Sequence, residues 1–543
     1  SSDLCSSDLG PLHLLLNNVG VVTLDYQGRA GIATSVGHAP VAGMVDAPAG
    51  SVLSIAEALT NIVWAPLPDG IRSVSLSANW MWPARNPGEN ARLYAAVKAA
   101  SDFACQIGVN IPTGKDSMSM TQKYPGDVVY APGTVIISAS AEVTDVHKVI
   151  EPVLCNDPSM PLLFIDFSFM PRCAGGSALA QLLNRLGSQA PAVADPGKFS
   201  AAFDAVQELV DRQLIIAGHD LSSGGLITTL LEMCFSDNVS GLDLDLSGIG
   251  EPDTVKLLFS ENPGVVVQCG DAEAVREVLV ARGVAFTEIG RPAPGRVVRI
   301  RNHGTETEFD IDSLRDLWFK SSWLLDRKQS GEAKALERYR HFRENELHYQ
   351  FGSFTGKYAD YGIDPARREP TGIRAAIIRE KGVNGDREMA WMLYLAGFDV
   401  KDVHMTDLIS GRETLEEIHL IVFVGGFSNS DVLGSAKGWA GAFRYNEKAR
   451  IALENFYQRN DTLSLGVCNG CQLMIELGLI PAGRAPRPAM AHNDSHKFES
   501  AFLNVDLLPN PSVMLGNMAG LRLGVWVAHG EGKFILGGSE EEY

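Results

Sequence analysis

The chain has 543 residues, 45% of them hydrophobic and 20% charged, with a formal net charge of −19. That length exceeds what one core sustains and predicts about three or four domains. The acidic balance excludes nonspecific nucleic-acid binding and attachment to an anionic membrane surface.

The eight cysteines are scattered and suggest no disulfide framework; the one Cys-x-x-Cys, Cys468 to Cys471, has no second pair to complete a zinc site. No apolar run reaches the roughly 18 residues of a membrane span. No secretory signal opens the chain, so the cytoplasm is the expected compartment. Ser1-Ser2-Asp3-Leu4 recurs as Ser6-Ser7-Asp8-Leu9. The repeat has the form of a cloning or sequencing scar, and residues 1–18 are expected to be non-native. Residues 19–148 mix strand-like runs at 21–24 and 135–141 with helical spacing at 54–63 and 89–107. Residues 149–312 form a second α/β unit, with strands expected at 161–166 and 264–268 and helices at 199–214 and 226–235. From 313 to 370 Trp318, Trp323, Tyr339, Phe342, Tyr349 and Phe351 sit among dense charge, as in a packed linker that holds neighbouring modules together. Residues 371–543 alternate strand (374–379), helix (386–396) and strand (420–424), the pattern of a parallel doubly wound sheet.

The most specific signal lies at Leu465-Gly466-Val467-Cys468-Asn469-Gly470-Cys471-Gln472. An apolar strand runs into Gly-x-Cys-x-Gly, and a helix-compatible segment follows. Small flanking residues permit a tight strand-to-helix turn that exposes the central side chain at the carboxyl edge of the sheet. A helix N-terminus there favours the thiolate, which attacks a carboxamide to form an acyl-enzyme. Alone, the pattern is better read as a buried structural cysteine in a turn. Upstream, Val424-Gly425-Gly426-Phe427-Ser428-Asn429-Ser430-Asp431-Val432-Leu433-Gly434 follows a strand and is rich in Gly and Ser. Such a loop turns backbone N–H groups toward a developing oxyanion, although any βα turn shares its composition.

Together these two segments resemble class I glutamine amidotransferases, and in wording the glutaminase domain of the phosphoribosylformylglycinamidine synthases. The resemblance implies a nucleophile at Cys468, with Gly425, Gly426 and Phe427 holding the oxyanion and the glutamine. Val403-His404-Met405-Thr406-Asp407-Leu408 and Ala528-His529-Gly530-Glu531-Gly532 also match family segments. The family's catalytic His and Glu lie in a His-Pro-Glu-Arg segment that this sequence lacks, so His529 and Glu531 are not expected to complete a triad. The sequence is expected to stop short of the domain's end.

The resemblance extends back to about Val19, and residues 19–312 look like the second pair of subdomains of an aminoimidazole ribonucleotide synthetase-like ATP-binding module. Glu57 and Asn61 stand at i, i+4 on one helix face, where a carboxylate and an amide oxygen reach one hard cation. Without the resemblance they also fit a solvent-exposed pair; with it they match magnesium ligands. Gly114-Lys115-Asp116-Ser117 suits phosphate and metal, with Lys115 and Asp116 as nucleotide contacts, or else a strand entrance with a salt bridge. It is not a P-loop. Gly218-His219-Asp220-Leu221-Ser222-Ser223-Gly224-Gly225 resembles the family's HDxSDGGL, which makes Asp220 a further magnesium ligand. Ser222 and the glycine amides would contact phosphate at the following helix. Ser223 stands where the family has Asp. Alignment through Val19 puts a fourth family ligand, normally Asp, on Asn18.

The resemblance implies a carbon–nitrogen ligase of purine biosynthesis that uses glutamine, ATP and Mg²⁺ to convert formylglycinamide ribonucleotide to the amidine, with ATP or ADP bound. An N-terminal half of the same protein would be its partner. Two rival expectations are a different class I amidotransferase and a non-catalytic or ammonia-dependent subunit completed by another chain. GKDSMSM and HDLSSGGL argue against the first.

Overall fold

A computed structural model describes residues 8–9, 14–25, 28–344, 347–480 and 488–536. The chain divides into two compact units, one of Ser2–Ser321 with Phe342–Glu346, the other of Ser322–His341 with Leu347–Tyr543. No helix among the described residues is long and apolar enough to cross a membrane.

The first unit holds two sheets. One has five strands in the order Val19–Thr23, Gly31–His38, Thr134–Val143, Ser75–Met81, Asn110–Ser117. Strand Gly31–His38 alternates buried and open positions, as expected of a sheet with one covered face. The helix Ala47–Ile62 lies on the covered face, started by Asp46, whose side chain accepts from the Ala49 N–H at 3.0 Å. It packs so close that a Cβ on Gly37 would come within 2.2 Å of the Ser54 carbonyl. That contact fixes how His38 and Glu57 face each other.

The second sheet has seven strands in the order Ile215–Asp220, Gly264–Cys269, Leu162–Asp166, Phe286–Pro294, Ser240–Asp245, Val297–Asn302, Thr305–Asp310. It is covered on both faces, and so its central strands read as unbroken apolar runs. Leu163, Ile165, Val265 and Val267 pack with Phe199, Phe203 and Leu279 in one core that continues into the five-stranded subdomain. Leu162, Phe164 and Val266 pack with Leu226, Leu230 and Ile311 in another. The buried Gln207 joins the two subdomains, with Nε2 donating to the carbonyls of Val63 (2.6 Å) and Ala65 (2.9 Å) and Oε1 accepting from the Leu67 N–H (2.8 Å). Leu14 and Leu16, placed above in the terminal segment, are 3% and 4% exposed in the second core, so the packed chain reaches back at least to Leu14.

In the other unit four parallel strands run in the order Asp399–His404, Arg374–Arg379, Leu420–Phe423, Leu463–Gly466. This is the doubly wound sheet expected. Helices Lys437–Tyr445 and Glu447–Gln458 bury Trp439, Phe443 and Phe456 on one face. The expected linker is shared between the units. Trp318 and Phe319 pack with Phe235 and Phe342 in the first, whereas Trp323 stacks on Tyr339 in the second.

Candidate functional site

Strand Leu463–Gly466 and helix Asn469–Leu477 are joined by a two-residue turn. Cys468 sits in that turn at φ 51°, ψ −110°, a backbone conformation that side chains avoid and that functional elbows retain. Both flanking glycines are dictated by packing. A Cβ on Gly466 would lie 2.7 Å from the Gly470 carbonyl oxygen, and one on Gly470 would lie 2.0 Å from that of Phe423. The helix is thereby pressed against the strand, and Cys468 is exposed above it. Gly425 faces Cys468 so closely that its Cβ would be 3.1 Å from the Cys468 Cβ and 3.8 Å from Sγ.

Gly426 adopts φ +118°, which turns the peptide planes of the loop, while its carbonyl neighbour Gly425 accepts from the Asn384 N–H at 2.9 Å. The Phe427 N–H is occupied by the Gly382 carbonyl at 2.9 Å. That removes Phe427 from the expected oxyanion donors; its half-exposed ring packs on Phe498 instead. The N–H of Asn469 opens the helix and has no intrahelical acceptor, which makes it a donor the sequence argument missed. The buried Asn469 side chain fixes the surrounding loop: Oδ1 accepts from the Ser428 N–H (3.2 Å), and Nδ2 donates to Asp431 Oδ1 (3.3 Å) and Gln472 Oε1 (3.0 Å).

Cys468 Sγ donates to the Ala528 carbonyl at 3.7 Å, and among the described residues no histidine or carboxylate is bonded to it. His529 Nδ1 pairs with Asn493 Oδ1 at 2.9 Å, and Glu531 accepts from the Ser435 N–H at 3.2 Å. Neither side chain is hydrogen-bonded to the Cys468 thiol. Burial, and after it the nearby Cys468, pushes the Cys471 thiol up, which makes Cys471 a packed neighbour.

In the first unit two cavities meet. One, of about 230 Å³, is lined by His38, Glu57, Gly175, Ser222, Ser223 and Glu261 among others. The second, of about 710 Å³, has Asn18, His38, Glu57, Asn61 and Ser222 at one end and Thr34, Ser75, Ser77, Thr113, Ser138 and Ser140 along the sheet. Glu57 Oε2 accepts from the His38 N–H at 2.6 Å. Burial, opposed by that bond and reinforced by Asp220 and Glu261, pushes its carboxyl up to about 8. Asn61 Nδ2 donates to the Val36 carbonyl at 2.9 Å, which leaves Oδ1 buried without a partner. Asp220 Oδ2 is likewise buried and unpartnered. Glu57, Asn61 and Asp220 thus bring two orphaned oxygens and a destabilised carboxylate to one place. Such a set fits a hard cation. Among the described residues no group of three His, Cys, Asp or Glu side chains is arranged to hold a metal.

Three expectations are corrected here. Asn18 meets Asp220 as a donor, Nδ2 to Oδ1 at 3.1 Å. Gly224 N–H donates to Glu261 Oε1 at 2.8 Å and Gly225 N–H to the Ser222 carbonyl at 3.1 Å, so neither glycine amide is available to phosphate. Lys115 and Asp116 are exposed on the edge strand Asn110–Ser117 and line neither cavity. Gly114 serves strand pairing rather than phosphate, because its Cβ would lie 2.2 Å from the Ala78 carbonyl. Glu261 bridges the N–H groups of Ala178 (2.7 Å) and Gly224 (2.8 Å).

Residues 5–142 match a model described as an FGAR-AT PurM_N-like domain, 174–301 an AIR synthase related protein, C-terminal domain, and 372–542 a CobB/CobQ-like glutamine amidotransferase domain. The chain is 39% identical over 97% of its length to the probable phosphoribosylformylglycinamidine synthase, chloroplastic/mitochondrial, of Arabidopsis thaliana, covering 38% of that protein. It is 39% identical over 96% of its length to the phosphoribosylformylglycinamidine synthase of Homo sapiens, covering 40%. Among solved structures, T. maritima PurL complexed with FGAR matches at 16% identity and a TM-score of 0.45, over 55% of this chain and 48% of that one. Over nearly its whole length the chain is similar to phosphoribosylformylglycinamidine synthases, and it spans less than half the length of the curated relatives it matches.

Proposed function

We propose that the chain carries the glutaminase and one nucleotide-binding lobe of an enzyme that makes formylglycinamidine ribonucleotide from formylglycinamide ribonucleotide, glutamine and ATP, with a further synthetase half as its partner. The observation that carries this is Cys468, exposed at a strained strand-to-helix elbow and facing Gly425. Its thiolate attacks the glutamine carboxamide carbon; the C–N bond breaks, ammonia leaves with a proton, and water hydrolyses the thioester to glutamate. The oxyanion lies against the N–H groups of Gly426 and Asn469. Ammonia then attacks the amide carbon of formylglycinamide ribonucleotide, whose oxygen has taken the γ-phosphoryl group of ATP, and phosphate departs.

In the first unit Glu57, Asn61 and Asp220 would hold Mg²⁺, which supplies charge neutralisation across nucleotide phosphates. Ser222, on the wall common to both cavities, is the proposed nucleotide contact. The test is covalent labelling of the full chain with a diazoketone analogue of glutamine, read by mass spectrometry. Label on Cys468, suppressed by excess glutamine and absent from Cys471, is expected. A chain that takes no label at Cys468 refutes the glutaminase and leaves an ammonia-dependent lobe.

A further inference from the structure

Asp220 closes the strand Ile215–Asp220 and is 1% exposed. Its Oδ1 is held twice, by His219 Nδ1 at 3.2 Å and by Asn18 Nδ2 at 3.1 Å, while Oδ2 has no partner. The hydrogen bonding does not stop at His219. Nε2 of the same ring meets Glu232 Oε2 at 3.0 Å, and the other oxygen of Glu232 accepts the Trp318 indole N–H at 3.2 Å. Indole, carboxylate, imidazole and carboxylate stand in line. They come from the helix Ile311–Ser330, the helix Gly225–Phe235 and the strand. Each link fixes the orientation of the next. The network ends on a buried Asp220 oxygen that has no partner, and Asp220 lies near enough to Glu57 to act on its carboxyl.

We propose that Trp318, Glu232 and His219 are positioning residues that hold Asp220 with Oδ2 turned to a divalent cation, so that helix Ile311–Ser330 sets the cation affinity of the nucleotide site. The proposal rests on Asp220 being a cation ligand. Partners that orient metal ligands typically contribute about 10- to 100-fold in affinity. Trp318 acts through two intervening groups, and its share is set at about 3- to 10-fold on the same basis.

The experiment measures Mn²⁺ binding to the full chain by electron paramagnetic resonance, beside ADP binding in the presence of a chelator. Trp318→Phe keeps an aromatic ring beside Phe235 and Phe319 and removes the N–H donor together with the indole's second ring. Glu232→Gln breaks one link without changing shape. Both are expected to weaken Mn²⁺ binding about 3- to 10-fold or more and to leave cation-free ADP binding unchanged. Equal loss of Mn²⁺ and ADP affinity would show a merely structural role, and unchanged Mn²⁺ affinity in both variants would show no role; either overturns the proposal. Mn²⁺ binding to the unaltered chain that Asp220→Asn does not weaken, or none at all, overturns the cation site itself, and the relay falls with it.

Discussion

Gly470 tests the elbow directly. In Gly470→Ala the new methyl group would lie 2.0 Å from the Phe423 carbonyl oxygen, 2.5 Å from its carbon and 2.8 Å from Cβ. These belong to a central strand of a parallel sheet, whose Phe423 is wedged between Trp439 and Phe443, so the strand does not yield. The helix must retreat by about 1 Å merely to reach 3.0 Å, the shortest approach that real Cβ atoms show. Overpacking of this kind costs about 1–3 kcal/mol, and the upper end applies where backbone is struck; alanine's better helix propensity returns about 1 kcal/mol. The expected net loss is about 2 kcal/mol. Gly441, in the helix Lys437–Tyr445, is the control, since its Cβ would meet only the Tyr445 ring at 3.9 Å. Gly441→Ala should stabilise by about 0.5–1 kcal/mol. Urea unfolding should therefore separate the two variants by about 3 kcal/mol. The same 1 Å retreat carries Cys468 from Gly425 and should slow labelling by the glutamine analogue about 100-fold. Equal stability of the two variants, or unimpaired labelling of Gly470→Ala, would refute the close-packed elbow.

Three further outcomes are expected. Asn18→Asp places a second carboxylate where an amide now bonds Asp220 at 3.1 Å, so Mn²⁺ titration should show affinity tightened about tenfold and the thermal midpoint in chelator should fall; an unchanged affinity would exclude this position from the site. Lys115→Ala and Asp116→Ala should leave ADP affinity within about twofold by calorimetry, because both side chains lie outside the cavities. Burial would raise the Asp326 carboxyl, but Lys497 at 2.5 Å, Ser330 and Arg338 overcome it and hold the group below its ordinary 3.8. Its stabilisation is thus complete above about pH 3.8 and lost as pH falls through the lower folded value. Urea midpoints measured down the acid limb should fall less steeply in Lys497→Met.

The elements carrying chemistry were legible where local geometry and chemistry coincide. Gly-x-Cys-x-Gly is demanded by helix-on-strand packing and, in the same residues, exposes the thiol; one pattern encodes both. The i, i+4 spacing of Glu57 and Asn61 likewise follows from a helix alone. What stayed hidden depends on partners far along the chain. The Phe427 N–H is taken by Gly382, and the Gly224 N–H by Glu261, so glycine-rich wording did not distinguish free donors from satisfied ones. Lys115 and Asp116 fell outside because Gly114 answers to Ala78 on the neighbouring strand. The hydroxyl-lined cleft was written in the strands as Ser75-x-Ser77 and Ser138-x-Ser140, a period of two that marks an uncovered polar face.

His38, Glu57 and Ser222 belong to both cavities of the first unit. A partition with two sides imposes a thermodynamic symmetry. Whatever occupant draws the Glu57 carboxyl toward one side alters the dielectric and charge met on the other. The free energy by which the first ligand changes the second ligand's affinity must equal that by which the second changes the first. Any coupling carried through that shared wall is therefore the same in either order of filling.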